Sequence, residues 1–264
     1  MKIREYLHIK KILIIPLLFL LITMGSVSFM TLGNNSSDTV YAANPVTVKV
    51  LIYSGSDTLS SSVNGIKSSL DYANSHNSVP NVKFVYATSS SINSTTLSSY
   101  DVLIMPGGTS GRSYLSNSKI KGADIKKFVS SGKGYVGICA GSYAASYKVD
   151  GYYSGWGLAP DVNCKAVSYV GQLPISMTSS GKSILNYTGT QTVYHWNGPA
   201  MYIKSPAFSM ATYANSKTGY TNYAAIVGDT YGSGRVVLSG PHPELSPQKP
   251  AMLARMILWS AKKI

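Results

Sequence analysis

Apolar and polar residues alternate in blocks along the first half of the chain, and these blocks predict strands separated by helices. Residues 46–53 are β-branched and almost continuously apolar, a pattern typical of a strand covered on both faces. A turn rich in Ser, Gly and Asp follows, and apolar residues then recur at helical spacing. The predicted elements are, in order, strand 46–53, helix 59–75, strands 82–87 and 101–106, a helix with apolar residues at 120, 125, 128 and 129 that ends at Gly132, strand 134–138 and helix 140–147.

Beyond residue 147 the pattern changes, because short strand-like runs follow one another with few helix signals. These runs are 162–170, 172–177, 191–194, 207–213, 223–228 and 235–239, and a moderately amphipathic helix over 247–263 closes the chain. Strands that alternate with helices predict an α/β fold with a mainly parallel central sheet and helices on both faces. The later runs add extra strands in the C-terminal half. No repeat and no linker divides residues 44–264, so we predict a single domain there.

The first 43 residues have the pattern of a secretory signal peptide. Four basic residues precede an apolar run over 12–22 that continues weakly to Leu32, and small residues follow at 40–43. Cleavage is expected after Ala42 or Ala43. The alternative is an uncleaved membrane anchor, since residues 12–32 are about long enough to span a bilayer. Either way, the rest of the chain is expected to lie outside the cytoplasm, secreted or anchored.

Acidic residues are scarce in this chain. The 264 residues include 23 Lys and Arg but only 10 Asp and Glu. Residues 44–264 keep 19 basic and 8 acidic residues, a net charge of +11. The basic residues are spread without an Arg-rich block or interleaved aromatic motif, which favours an anionic cell-envelope surface as partner and argues against nucleic acid.

The segment Gly137-Ile-Cys-Ala-Gly141 ends a predicted strand and begins a predicted helix, the context of a nucleophile elbow. A thiol at Cys139 would lie near a helix N-terminus, which favours the thiolate. The N–H of Ala140 could then face a developing oxyanion. The alternative is a buried cysteine without a chemical role.

The segment Gly240-Pro-His-Pro-Glu244 follows another predicted strand. A thiol nucleophile needs a base, and the base needs an acceptor that orients it, so His242 and Glu244 have suitable side chains. Glu244 is the only Glu after Glu5. A cap of the last helix is the alternative role for Glu244. In the segment 105–109, an N–H of Gly107 or Gly108 is a candidate second oxyanion donor.

Together these motifs resemble a known superfamily. The order Pro-Gly-Gly, G-I-C-A-G and H-P-E is similar to class I glutamine amidotransferase-like proteins. The fuller strings G-K-G-Y-V-G-I-C-A-G-S-Y, W-G-L-A-P, Y-H-W-N-G-P and G-P-H-P-E resemble the biotin-protein ligase N-terminal-like family, over residues 46–264. The resemblance implies a flavodoxin-like α/β sandwich with Cys139 as nucleophile, His242 as base and Glu244 as orienting acid. It also implies backbone donors at Gly108 and Ala140, and it does not imply biotin ligation.

One position departs from the superfamily pattern. Glutamine-hydrolysing members usually have Gln two residues after the second Gly of the elbow, where this chain has Tyr143. We therefore expect a stand-alone hydrolase of a peptide or small-molecule amide, with no synthetase partner. Tyr143, Tyr194 and Trp196 are the candidate aromatic walls of its pocket. The alternative is a binding module without turnover.

The remaining Cys and His residues leave two questions open. In an exported chain Cys164 could form a disulfide with Cys139, although a free Cys139 fits a nucleophile better. His195 could line the pocket, but a packed and hydrogen-bonded role is more typical of this aromatic setting. The scattered His and Cys residues have no ligand spacing, so we predict no metal site and no cofactor.

Overall fold

The computed structural model describes residues 45–264, so the predicted signal segment and its cleavage site lie outside the described residues. The strands are β1 (Val46–Tyr53), β2 (Val82–Ser89), β3 (Val102–Met105), β4 (Gly134–Ile138), β5 (Ser146–Val149), β6 (Tyr153–Ser154), β7 (Ala159–Lys165), β8 (Val170–Met177), β9 (Thr190–Trp196), β10 (Ala200–Ile203), β11 (Phe208–Tyr213), β12 (Ala224–Tyr231) and β13 (Gly234–Ser239). The helices are α1 (Ser60–Ser75), α2 (Ser94–Leu97), α3 (Gly111–Ser116), α4 (Gly122–Ser130), α5 (Ala140–Ala145), α6 (Ser179–Leu185) and α7 (Pro250–Ser260).

The strands form one mixed sheet whose centre is parallel. The path runs β2-β1-β3-β4-β13-β12-β10-β7-β5-β6. Its first five strands are mutually parallel, and antiparallel pairing begins between β13 and β12. Strands β11, β8 and β9 extend from β12 by further antiparallel pairs. The predicted α/β fold, with a parallel core and extra strands in the C-terminal half, is confirmed.

Helices cover both faces of the parallel strands, and strand β1 illustrates why. Its alternate residues point to opposite faces, as the pleat of a strand requires. Ile52 packs in a buried cluster with residues of α1 and α7. Leu51 packs in a second buried cluster with residues of α3, α4 and α5. A strand buried on both faces needs apolar residues at successive positions, which explains the continuous apolar run.

Two predictions for the second half need correction. The strand-like run 162–170 is not one strand, because β7 ends at Lys165 and β8 begins at Val170. The chain leaves the sheet between them, and Ala166 and Val167 line a cavity instead. The predicted helix over 247–263 is shorter, since Pro250 occupies its first turn. Within residues 45–264, no helix is both long and apolar enough to cross a membrane.

Candidate active site

Cys139 lies at a sharp turn between β4 and α5. Its backbone has φ 53° and ψ −107°, in the positive-φ region that a residue with a side chain rarely adopts. Its N–H donates to the carbonyl oxygen of Ser239 over 2.8 Å, which ties the turn to β13. A side chain at Gly141 would collide with the carbonyl oxygen of Met105. The segment therefore has the strand–turn–helix geometry of a nucleophile elbow.

His242 comes close to Cys139 because β4 and β13 are parallel neighbours. Ile138 pairs with Ser239, so the two chains leave the sheet side by side at its carboxyl edge. The N–H of His242 donates to the carbonyl oxygen of Tyr194 over 2.7 Å, which fixes the loop after β13. Parallel register thus joins two motifs that lie far apart in the sequence.

Glu244 orients the His242 ring. His242 Nδ1 donates to Glu244 Oε1 over 2.8 Å, and both side chains are fully buried. The other ring nitrogen, Nε2, has no hydrogen-bond partner among the described residues. Glu244 does not cap α7, since Lys249 occupies the N-cap position of that helix.

The pKa of His242 is raised above its ordinary value. Burial by itself lowers this pKa, but the Glu244 carboxylate and the Cys139 sulfur outweigh burial and favour the imidazolium. Each charge on this group therefore affects the others. The side chains of Cys139, His242 and Glu244 therefore form one electrostatic unit.

Ser62, on α1, completes this unit and was not predicted. Its Oγ donates to Glu244 Oε1 over 2.7 Å and accepts from the N–H of Gly107 over 2.9 Å. The sequence offers no signal for this role, because Ser62 is one of three consecutive serines at the start of a helix. Helix α1 thereby links the orienting carboxylate to the loop after β3.

The contact with Ser62 removes Gly107 from the candidate oxyanion donors, because its N–H is already bonded. Gly108 is the better candidate. It pairs with Thr58 in an antiparallel bridge. The hydrogen bonds of this bridge run from the N–H of Leu59 to the carbonyl oxygen of Gly107 and from the N–H of Thr109 to that of Asp57. The bridge therefore does not use the N–H of Gly108. Gly108 lines the same cavity as Cys139 and Ala140, and the N–H of Ala140 begins α5 without an acceptor inside the helix.

Cys139, Gly108 and Ala140 open onto a cavity of about 470 Å³, a size suited to a small organic ligand. His242 and Glu244 are buried behind Cys139 and do not line it. Tyr143 and Trp196 line it, as predicted. Tyr194 does not line it; its ring packs edge-on against Trp196, with centroids 6.4 Å apart. Two further aromatic wall residues, Tyr152 and Tyr153, were missed because they belong to the hairpin after α5, away from every motif.

Tyr143 is a fixed wall of the cavity. Its hydroxyl donates to the carbonyl oxygen of Asn197 over 3.0 Å and accepts from the N–H of Val167 over 3.2 Å. Burial raises its pKa, so the hydroxyl stays neutral. A polar but uncharged wall therefore stands where glutamine-hydrolysing relatives have Gln.

Both cysteines are free thiols. The Cys139 thiol donates to the carbonyl oxygen of Trp196 over 3.3 Å, while Cys164 is buried and burial raises its pKa to about 12.

His195 is packed: its ring nitrogens lie 3.0 Å from the carbonyl oxygen of Tyr169 and 3.2 Å from the hydroxyl of Tyr213, and burial lowers its pKa to about 4. The described residues contain no group of three or more His, Cys, Asp or Glu that could hold a metal ion.

Replacing Gly107 by Ala is expected to displace His242 while the fold is kept. The new methyl carbon would lie 2.5 Å from His242 Cε1, so the ring must move away from its place beside Cys139. A misplacement of about 1 Å can slow catalysis roughly 100-fold. The measurement is the iodoacetamide labelling rate of Cys139 by mass spectrometry, with circular dichroism as the control for folding. Labelling at the wild-type rate would contradict the packing of His242 against Gly107.

Comparisons with known proteins identify a matching sequence family and a shared fold. Residues 48–155 match the sequence model of the family described as biotin-protein ligase, N terminal, a segment that contains Cys139 and ends before His242. The comparison with curated proteins gave no match.

Several solved structures share the fold. PurLQS from Thermotoga maritima is 13% identical, with 82% of this chain and 98% of that chain covered and a TM-score of 0.57. A ThuA-like protein from Bacteroides uniformis is 13% identical, with 83% and 93% covered and a TM-score of 0.56. A glutamine amidotransferase from Thermotoga maritima is 16% identical, with 82% and 86% covered and a TM-score of 0.50. The motif-based resemblance is thus confirmed: the chain has a glutamine amidotransferase-like fold, and its residues 48–155 match the biotin-protein ligase N-terminal family.

Proposed function

We propose that the protein is an exported, stand-alone amidotransferase-like hydrolase that cleaves the C–N bond of an amide through Cys139, His242 and Glu244. The substrate would be a peptide or small amide of the cell envelope. Export is supported by the basic and apolar pattern of residues 1–43, and attraction to an anionic envelope surface by the net charge of +11 over residues 44–264.

The proposed reaction has two steps. His242 takes the thiol proton as Cys139 Sγ attacks the carbonyl carbon, and it gives that proton to the leaving amine as the C–N bond breaks, which leaves a thioester on Cys139. Water then attacks the thioester and transfers a proton to His242, which returns it to the Cys139 sulfur as the acid is released. The N–H groups of Gly108 and Ala140 would bind the negative oxygen in both steps.

A single observation carries the proposal: the fully buried hydrogen bond from His242 Nδ1 to Glu244 Oε1, with Nε2 left without a partner among the described residues, in the loop next to the Cys139 turn. A buried ring nitrogen without a partner is unfavourable in a purely structural histidine. A group that passes protons between Cys139, the leaving amine and water needs that nitrogen free of other partners.

The proposal predicts an acyl-enzyme on Cys139. Purified protein is incubated with a library of anilides and primary amides, quenched in acid and analysed by peptide mass mapping. We expect a thioester on the Cys139 peptide, released by hydroxylamine and absent in Cys139→Ser. If the whole library yields neither an adduct nor free amine, the hydrolase proposal is wrong.

A binding module on the same scaffold is the second candidate. It is favoured by the contact of the Cys139 thiol with the carbonyl oxygen of Trp196, which satisfies the thiol without His242. In that case iodoacetamide would label Cys139 slowly, and His242→Ala would not change the rate. For the hydrolase we expect fast, pH-dependent labelling that His242→Ala abolishes.

A further inference from the structure

The cavity beside Cys139 has an uncharged wall. Among the described residues that line it, none is Asp, Glu, Lys, Arg or His. Its polar side chains outside the aromatic residues are Thr109, Ser110, Asn197 and Cys139 itself. A charged group bound against this wall finds no partner of opposite charge there, so any hydration that it loses is not replaced.

Several charged side chains adjoin lining residues in the sequence. Asp150 pairs with Lys148 over 3.3 Å and with Lys165 over 2.9 Å. Arg112 is exposed; its guanidinium lies 5.1 Å from the ring centre of Tyr153 and donates to the carbonyl oxygen of Tyr152 over 2.9 Å. Behind Cys139, His242 and Glu244 are counter-ions to each other. None of these charged side chains lines the cavity.

The mouth of the cavity is aromatic. Tyr152 is 64% exposed and Trp196 is 38% exposed, although large apolar side chains are usually covered. Both line the cavity together with Tyr143 and Tyr153. Aromatic side chains pack well against other planar rings in stacked or edge-on arrangements.

We infer that the site selects amides that carry an uncharged aromatic group, and that it excludes free amino acids such as glutamine, whose ammonium and carboxylate need counter-ions. This inference rests on the proposed function, since it names the substrate class of the same site. The fixed wall formed by Tyr143 and the uncharged cavity lining reject a charged group, and the aromatic mouth binds the ring.

Four chloroacetamides test the inference because they carry the same thiol-reactive group. They are N-methyl chloroacetamide, N-benzyl chloroacetamide, and the N-benzyl compound with a para carboxylate or a para aminomethyl group. Each labelling rate at Cys139 is divided by the rate of the same compound with glutathione. We expect the neutral benzyl compound to react about tenfold or more faster than either charged analogue and faster than the methyl compound. Equal ratios for the neutral and charged compounds would overturn the inference.

A charge placed in the wall provides the second test. Thr109 is exposed at the cavity, so Thr109→Lys adds an ammonium there, and Thr109→Gln is the matched uncharged control. In the Lys variant alone, we expect the labelling rate of the carboxylate compound, divided by that of the neutral benzyl compound, to rise about tenfold. An unchanged ratio in the Lys variant would show that wall charge does not set selectivity.

The two proposals fail in different ways. If the neutral benzyl compound reacts faster while no amide is hydrolysed, the hydrolase proposal is wrong and the proposed selectivity is supported. If amides are hydrolysed while charged and neutral compounds react at the same relative rates, the hydrolase proposal is supported and the proposed selectivity is wrong.

Discussion

Replacing Cys139 by Ser is expected to lower kcat/KM for amide hydrolysis by about a thousandfold or more. The serine oxygen would occupy the same elbow, but a hydroxyl is far less acidic than a thiol, so the imidazolium of His242 cannot hold it as an anion. The measurement is amine release from the best amide of the library. Iodoacetamide labelling should disappear in the same variant.

Cys164→Ala is the matched control for this substitution. Cys164 is buried, and burial raises its pKa to about 12, so it is expected to be unreactive at neutral pH. The variant should retain hydrolysis and labelling near the wild-type level. A similar loss in both cysteine variants would point to structural damage and would remove the support for Cys139 as nucleophile.

Replacing Glu244 by Gln is expected to move the pH dependence of Cys139 labelling upward by about one pH unit or more and to slow labelling at pH 7 about tenfold or more. The carboxylate is the main group that raises the pKa of His242. Without it, burial dominates and lowers that pKa, so the imidazole is neutral at pH 7 and no longer stabilises the thiolate. The measurement is the labelling rate from pH 5 to pH 10.

The same pKa shift predicts a change in stability. Because the folded-state pKa of His242 lies above its ordinary value of 6.5, the ion pair stabilises the fold fully below pH 6.5. This contribution is lost as the pH rises through the folded-state pKa. The difference in unfolding free energy between wild type and Glu244→Gln should therefore shrink at high pH.

Ser62→Ala tests how far the position of the Glu244 carboxylate matters while its charge is unchanged. It removes the hydrogen bond from Ser62 to Glu244 and leaves the charge in place. We expect a smaller shift of the labelling profile than in Glu244→Gln. If Glu244→Gln leaves the labelling profile unchanged, the proposed role of the ion pair in activating the thiol is wrong.

The central strands could be predicted because burial on both faces leaves a continuous apolar run. Strand β1 matches its predicted range, and β4 does as well. The short elements α2, α3, α6, β5, β6 and β10 were missed. Helix α6 contains Gly181, which packs against the main chain of Met210, so tertiary contact stabilises a segment with weak helical propensity.

The sequence by itself determined the fold class and the candidates Cys139, His242 and Glu244. Their signals are local: glycines around a cysteine at a strand end, and a lone Glu two residues after a His. Parallel pairing then brings strand ends to one edge of the sheet, so residues at those ends converge in any fold of this class.

Only the tertiary structure decided which groups complete the site. The N–H of Gly107 is taken by Ser62 because α1 packs beside the loop after β3, a contact that no local pattern encodes. The Tyr194 ring packs against Trp196 and does not line the cavity, whereas Tyr152 and Tyr153 enter its wall from a hairpin. Hydrogen-bond partners and side-chain directions depend on elements distant in the chain, whereas strands, turns and their chemistry depend on neighbours in the sequence.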